Sequence, residues 1–171
     1  MSSLPLVKLY EHNNWANQQI IRACAGLGDA LLDATPNAAT RGSIRETLLH
    51  LAGAQESYLR TLTLPLEQRL ERKPPPPFAE LEASVAASGA GLLALAREEA
   101  RLEPPARLRT RDGRQVEPWV ILVQVINHAT EHREQVKNML SALGITPPDI
   151  DGWDFGRAEG ALSPAEPPHQ S

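Results

Sequence analysis

The segment Asn127-His128-Ala129-Thr130-Glu131-His132 places two imidazoles four residues apart. On a helix that spacing stacks them one turn apart on one side, where both rings can reach a single ion. Both lie on the stripe set by Ile121, Val125, Met139 and Leu143, so the pair is expected to face the interior of a helix bundle. Buried neutral imidazoles need partners for their ring nitrogens, and a metal supplies one for each; backbone carbonyls or carboxylates are the alternative. His50 sits on the shoulder of another apolar stripe, beside Leu51 and one turn from Ala54, and can project toward a neighbouring helix. Alone it reads as an ordinary half-buried histidine. Together the three nitrogens would hold Zn(II), Ni(II) or Fe(II) with positions left for water or substrate, which separates catalytic from closed structural sites.

The pattern is not the HExxH of zinc proteases, because Ala129 follows His128 and Glu131 stands about 100° round the helix from His132. Glu131 is therefore a poor candidate for a general base. Glu46, one turn before His50, could orient a ligand or accept a proton, but Ser43-Ile44-Arg45-Glu46 has the form of a capping box, its expected use. His12, between Glu11 and Asn13, is expected on an exposed face, and His169 in a terminal tail. The single cysteine, Cys24, lies among Ile20, Ile21 and Leu27 and reads as a small buried hydrophobe. It cannot form an internal disulfide, which fits a reducing compartment.

Four long helices are expected to position these groups. The first spans about residues 4–26, its apolar stripe interrupted midway by Asn13, Asn14 and Asn17. The second starts at the capping box and stops before Pro65. Pro74 to Pro77 form an extended strap, since each ring removes a donor and restricts the residue before it. The third helix follows over about 78–101, with the small-sided run Ala86 to Gly91 allowing close approach of a neighbour. Arg107 to Glu117 reads as a small hairpin around Asp112-Gly113. Pro118 opens the fourth helix, which carries the His128/His132 pair and runs to Gly144. From Gly156 the residues are small, polar or proline, so 1–155 is expected as the folded domain and 156–171 as a mobile C-terminal tail.

The 171 residues suit one domain, and 42% hydrophobic residues suffice for a core without disulfides. Only seven residues are aromatic (three Trp, two Tyr, two Phe), which favours the Leu, Ile, Val and Ala packing of an all-α protein. A net charge of -4, with Lys and Arg dispersed, argues against nucleic acid as a partner. The first residues lack the pattern of a signal peptide, and no run of about 18 apolar residues occurs. The expected location is cytoplasmic, with no membrane partner.

Read in order, Trp15-Ala16-Asn17, His50 followed by Tyr58-Leu59, and Asn127 to Arg133 with Gln135 resemble the DinB-like family of bacterial damage-inducible proteins. Leu143-Gly144-Ile145 leading into Pro147-Pro148-Asp149-Ile150-Asp151, and the polar hairpin before the last helix, extend the resemblance over roughly residues 6–155. It implies an up-down-down-up four-helix bundle, commonly a homodimer, whose three histidines match His50, His128 and His132 and bind a divalent metal. Members similar to this chain include metal-dependent hydrolases and thiol S-transferases or isomerases that use a low-molecular-weight thiol such as bacillithiol or mycothiol.

The expectation is thus a metal-dependent enzyme acting on a small-molecule substrate. Thiol S-transfer in stress response or detoxification stands ahead of hydrolysis, because no clear general base is present. Tyr10 and Asn17 of the first helix are expected near the open face as substrate contacts. A non-catalytic metal-binding stress protein is the alternative.

Overall fold

The structure is a computed structural model that describes residues 4–37, 39, 42–69, 74–98, 107–110 and 112–162. Among these residues the chain forms α1 (Leu4–Ala25), α2 (Asp29–Leu32), α3 (Ile44–Thr63), α4 (Leu66–Arg69), α5 (Leu81–Glu98), α6 (Pro118–Ala142) and α7 (Gly152–Ala158). A two-stranded antiparallel hairpin, β1 (Leu108–Arg109) and β2 (Gln115–Val116), precedes α6 and pairs Leu108 with Val116. The tail over 163–171, with His169, lies outside the described residues.

Local chemistry sets the helix ends. The Ser43 hydroxyl accepts from the Glu46 N–H while the Glu46 carboxylate accepts from the Ser43 N–H, so the capping box closes the start of α3. Glu46 is spent there. Pro118 occupies the first turn of α6 after Glu117 as N-cap. At the other end Gly144 takes φ +75°, and the N–H groups of Gly144 and Ile145 bond to the carbonyls of Ser141 and Leu140, a Schellman stop. Gly113 at φ +87° makes the hairpin turn that Asp112-Gly113 promised.

α1 packs between α5 and α6, and α3 closes the ring on the opposite side. Directions follow from the contacts. Tyr10 meets Leu122 and Asn17 meets Arg133, so α1 and α6 run parallel. Asn14 meets Gly89 and Arg22 meets Glu82, so α5 opposes α1. Gln55 meets Ser88 and Leu59 lies against Gly91, so α3 runs with α5. The result is the up-down-down-up bundle. The small-sided middle of α5 does bring its neighbours close: a Cβ at Gly89 would sit 2.6 Å from Asn14, and one at Gly91 2.7 Å from Leu59. Phe78–Glu98 is the one described segment long and apolar enough by composition to cross a membrane, and here it buries Leu81, Val85, Leu92 and Ala96 in the bundle.

α7 is an addition to the four expected helices. Asp151 caps it by accepting from the N–H groups of Trp153 and Asp154, and it runs three residues past the expected 155/156 boundary. It packs on α1 through Phe155, whose ring lies 5.6 Å from both His12 and Trp15. His12 is not on an exposed face as its polar neighbours suggest. It is half-buried, with Nε2 2.9 Å from the Ile150 carbonyl, and so ties α1 to the segment after α6.

Candidate metal centre

His50 comes from the middle of α3, and His128 and His132 from successive turns of α6, where the antiparallel pair of helices brings them face to face. The Nε2 atoms of His50 and His128 are 3.0 Å apart, and those of His128 and His132 3.1 Å apart. Three imidazoles bound to one ion at about 2.0–2.1 Å place their nitrogens about 2.9 Å apart in octahedral and about 3.4 Å apart in tetrahedral geometry. Both separations fall within that range and all three donor atoms lie within 4.8 Å of one another, so the three histidines could hold a divalent transition ion. The rings are tilted or edge-on to one another, with centroids 4.3 to 4.9 Å apart. They do not stack. They converge through their nitrogen edges.

His132 carries the clearest tautomer. Its Nδ1 lies 2.8 Å from Gln135 Oε1, and a carbonyl oxygen only accepts, so Nδ1 holds the proton and Nε2 turns its lone pair toward the other two rings. This is how metal-binding histidines are oriented: the far ring nitrogen donates to a fixed acceptor. Gln135 reaches that position because it stands three residues along α6 from His132. His132 is 5% exposed while His50 and His128 are half-buried, so the cluster is shut on one side.

Tyr58, two turns after His50 on α3, presents its ring edge-on to His128 at 5.7 Å. Burial raises the pKa of its hydroxyl, and the Glu131 charge adds to this, while a hydrogen bond with Gln124 acts in the opposite direction. The phenol therefore stays protonated at neutral pH. Tyr58 and Gln124 also line a cleft of about 740 Å³ between α3, α6 and the hairpin. Ser57, Thr61 and Thr110 give it hydroxyls, Val116, Val120 and Ile121 an apolar wall, and Asp112 and Arg114 a pair of opposite charges on the hairpin. Its size lies in the range of small-molecule sites.

Two substrate contacts expected from the sequence are not there. Tyr10 is fully buried and its hydroxyl donates to the Leu122 carbonyl at 2.8 Å. Asn17 is fully buried as well, donating to Gln55 and accepting from Arg133. Both are interior bracing, because the face of α1 that carries them is covered by its neighbouring helices. Glu131 is exposed, about 100° round α6 from His132, and near enough to Tyr58 for its charge to be felt there. Sequence reasoning named Arg133 only within the motif of the family resemblance and gave it no role; it is 3% exposed, directly after His132, and burial pulls the pKa of its guanidinium down to about 10. The three asparagines in the α1 stripe were the available signal, since a polar break in an apolar stripe asks for a buried polar partner.

A protein from Exiguobacterium sibiricum 255-15, described as a member of the DinB family, has a similar structure with a TM-score of 0.67. The two are 19% identical over 86% of this chain and 95% of that one, a likeness of fold. No curated protein matches this chain. The DinB family model matches residues 1–167, and on that match the chain belongs to the DinB family.

Proposed function

We propose that this chain is a divalent-metal-dependent enzyme in which His50, His128 and His132 hold one Zn(II), Ni(II) or Fe(II) ion, and that it transfers a low-molecular-weight thiol to an electrophile. The convergence of the three imidazoles, with His128 Nε2 at metal-ligand spacing from each of the other two, carries the reading. When bound, such an ion acts as a Lewis acid and lowers the pKa of a thiol or water at its open position.

The protein's own groups supply the rest. Gln135 fixes His132 in the tautomer that offers Nε2. Tyr58, held protonated beside His128, can donate a hydrogen bond to a substrate oxygen, and Gln124 keeps its hydroxyl in place. The cleft behind Tyr58 accepts the body of a small molecule against Val120 and Ile121. Thiol transfer is favoured over hydrolysis because, of the two carboxylates nearest in sequence, Glu46 closes the capping box and Glu131 is exposed, about 100° round α6 from His132. A thiol that binds as thiolate needs no separate base, whereas water attack on an ester or amide gains from one.

The setting proposed is detoxification or stress response in the cytoplasm, by a homodimer; exposed Trp119 and Val123, one turn apart on α6, offer an apolar face for a second copy. Turnover of an electrophile panel with bacterial thiols, run beside ester and amide substrates and with and without added metal, tests the reading. Metal-dependent consumption of thiol supports it. Metal-dependent ester or amide cleavage alone would replace it with hydrolysis, and a metal-loaded protein inert in every arm would leave a non-catalytic metal-binding protein.

A further inference from the structure

We propose that Arg133 is the positioning residue of the histidine centre, acting through a buried polar layer that joins all four long helices at one level. This rests on the reading that the three histidines hold a metal. Arg133 leaves α6 about 100° round from His132 and crosses to α1, where Nη1 donates to Asn13 Oδ1 at 2.8 Å and to Asn17 Oδ1 at 2.6 Å. Its Nη2 donates to Thr130 Oγ1 at 2.9 Å, back on its own helix. Asn17 Nδ2 then donates to Gln55 Oε1 on α3 at 2.8 Å. Gln55 Nε2 continues to Ser88 Oγ at 2.8 Å and the Val85 carbonyl at 2.9 Å, both on α5. The layer therefore reaches both ligand-bearing helices: Arg133 is next to His132, and Gln55 is five residues beyond His50.

Stability is a poor explanation for this layer. Among the described residues no carboxylate bonds to Arg133; its hydrogen bonds go to neutral carboxamides and a hydroxyl, and the Glu134 charge acts without a direct contact and does not outweigh the burial. Buried Asn13 Nδ2 has no hydrogen-bond partner, a further cost. Apolar residues of similar volume in such places are often neutral or more stabilising, and the best-attested gain from buried polar groups is register.

Register is what the centre requires. A slip of one residue moves α6 by about 1.5 Å along its axis, whereas metal-ligand distances tolerate about 0.2 Å. Apolar packing along α6 alone fixes its height less sharply than a guanidinium with planar, directional bonds to two side chains of α1. The network thus holds α6 against α1, and α3 through Asn17 and Gln55, at the height where His132 meets His50.

Co(II) titration of the parent, Arg133→Met and Arg133→Lys, followed by the visible ligand-field spectrum and by thermal melting, tests this. The expected result is an Arg133→Met protein that melts no lower than the parent, binds Co(II) at least tenfold more weakly and shows altered band intensities, with Arg133→Lys between the two. Parent-like affinity and spectrum in folded Arg133→Met would overturn the proposal and leave the metal reading standing. Should Arg133→Met fail to fold, the stability argument falls with it, and parent-like Co(II) behaviour of Arg133→Lys would end the positioning role too. A parent that binds no Co(II) would overturn both the metal site and its positioning residue.

Discussion

The two ends of the bundle are built differently. Where α1 and α6 finish and α3 and α5 begin, a large apolar cluster includes Ile20, Leu48, Leu51, Val136 and Leu140, with α2, Ile150 and the turn after α6 closing over it. At the other end a smaller cluster of Tyr10, Leu92, Ala96, Leu122 and Val125 lies beneath the hairpin and the cleft. Between them runs the polar level of Asn13, Asn17, Gln55, Ser88 and Arg133, with the histidines on its α3–α6 side. Apolar burial stabilises by area and specifies position loosely, while directional bonds do the reverse. The large cluster therefore carries the fold, and the thin end carries the open cleft.

The largest effect should come from the histidines themselves. Changing both His128 and His132 to Ala is expected to take bound metal from near one per chain to near none in elemental analysis, with the helical circular dichroism retained, because neither belongs to the large apolar cluster. His50→Ala should weaken affinity by more than about a hundredfold, beyond what loss of an orienting partner costs, and Gln135→Leu by about ten- to a hundredfold. His12→Ala should leave metal binding unchanged, since His12 is engaged with Ile150 at the α1–α7 contact. Undiminished affinity in His50→Ala, or its loss in His12→Ala, would mean that the ligand set is wrong. Collapse of the helical signal in the double variant would instead show that the centre supports the fold, and the division between the two ends would fail.

What the sequence disclosed divides along the same line. Signals that act within one turn were legible: the His128/His132 pair, the Ser43/Glu46 box, the Asp112-Gly113 turn, Pro118 at the head of α6. His50 needed the conjunction with a distant pair and the family resemblance, because its own surroundings are ordinary. Contacts between residues far apart in the chain were not legible. Asn13 and Asn17 look like breaks in a stripe until Arg133, more than a hundred residues on, is placed beside them. His12 looks exposed until Ile150 returns to cover it. Residues that resembled substrate contacts, Tyr10 and Asn17, are bracing for this reason. A polar group in an apolar stripe marks either a site or its support, and only the third dimension tells them apart.

A smaller effect compares the two clusters directly. Leu140 and Leu92 are both fully buried, one in each cluster. Truncation to Ala deletes the same atoms, and Leu→Ala in a core costs about 2–5 kcal/mol depending on how far the surroundings collapse into the space. Leu140→Ala is expected near the top of that range and Leu92→Ala near the bottom, since the larger cluster is mostly fully buried whereas the half-buried neighbours of the smaller one, Leu59, Leu62 and Leu93 among them, outnumber its buried members. Urea unfolding of the two variants measures the gap. Equal losses would show that both ends are packed to the same rigidity.

The smallest effect concerns the thiol in the large cluster. Cys24 is fully buried in an apolar setting, and burial pushes its pKa from the ordinary 9.0 up to about 12. In the unfolded chain the same thiol ionises near its ordinary value. Below that value both states hold the proton and Cys24 adds no pH dependence; above it the unfolded state gains the favourable ionisation first. The folded protein therefore keeps the thiol's full contribution up to about pH 9 and loses it progressively as pH climbs toward about 12. Other groups titrate in this window, so the informative quantity is the difference from Cys24→Ala. Between about pH 8 and about pH 10 the parent should lose about 1 kcal/mol more unfolding free energy than that variant. A pH-independent difference would mean that the thiol ionises as readily in the folded state as in the unfolded one, and that the large cluster admits water.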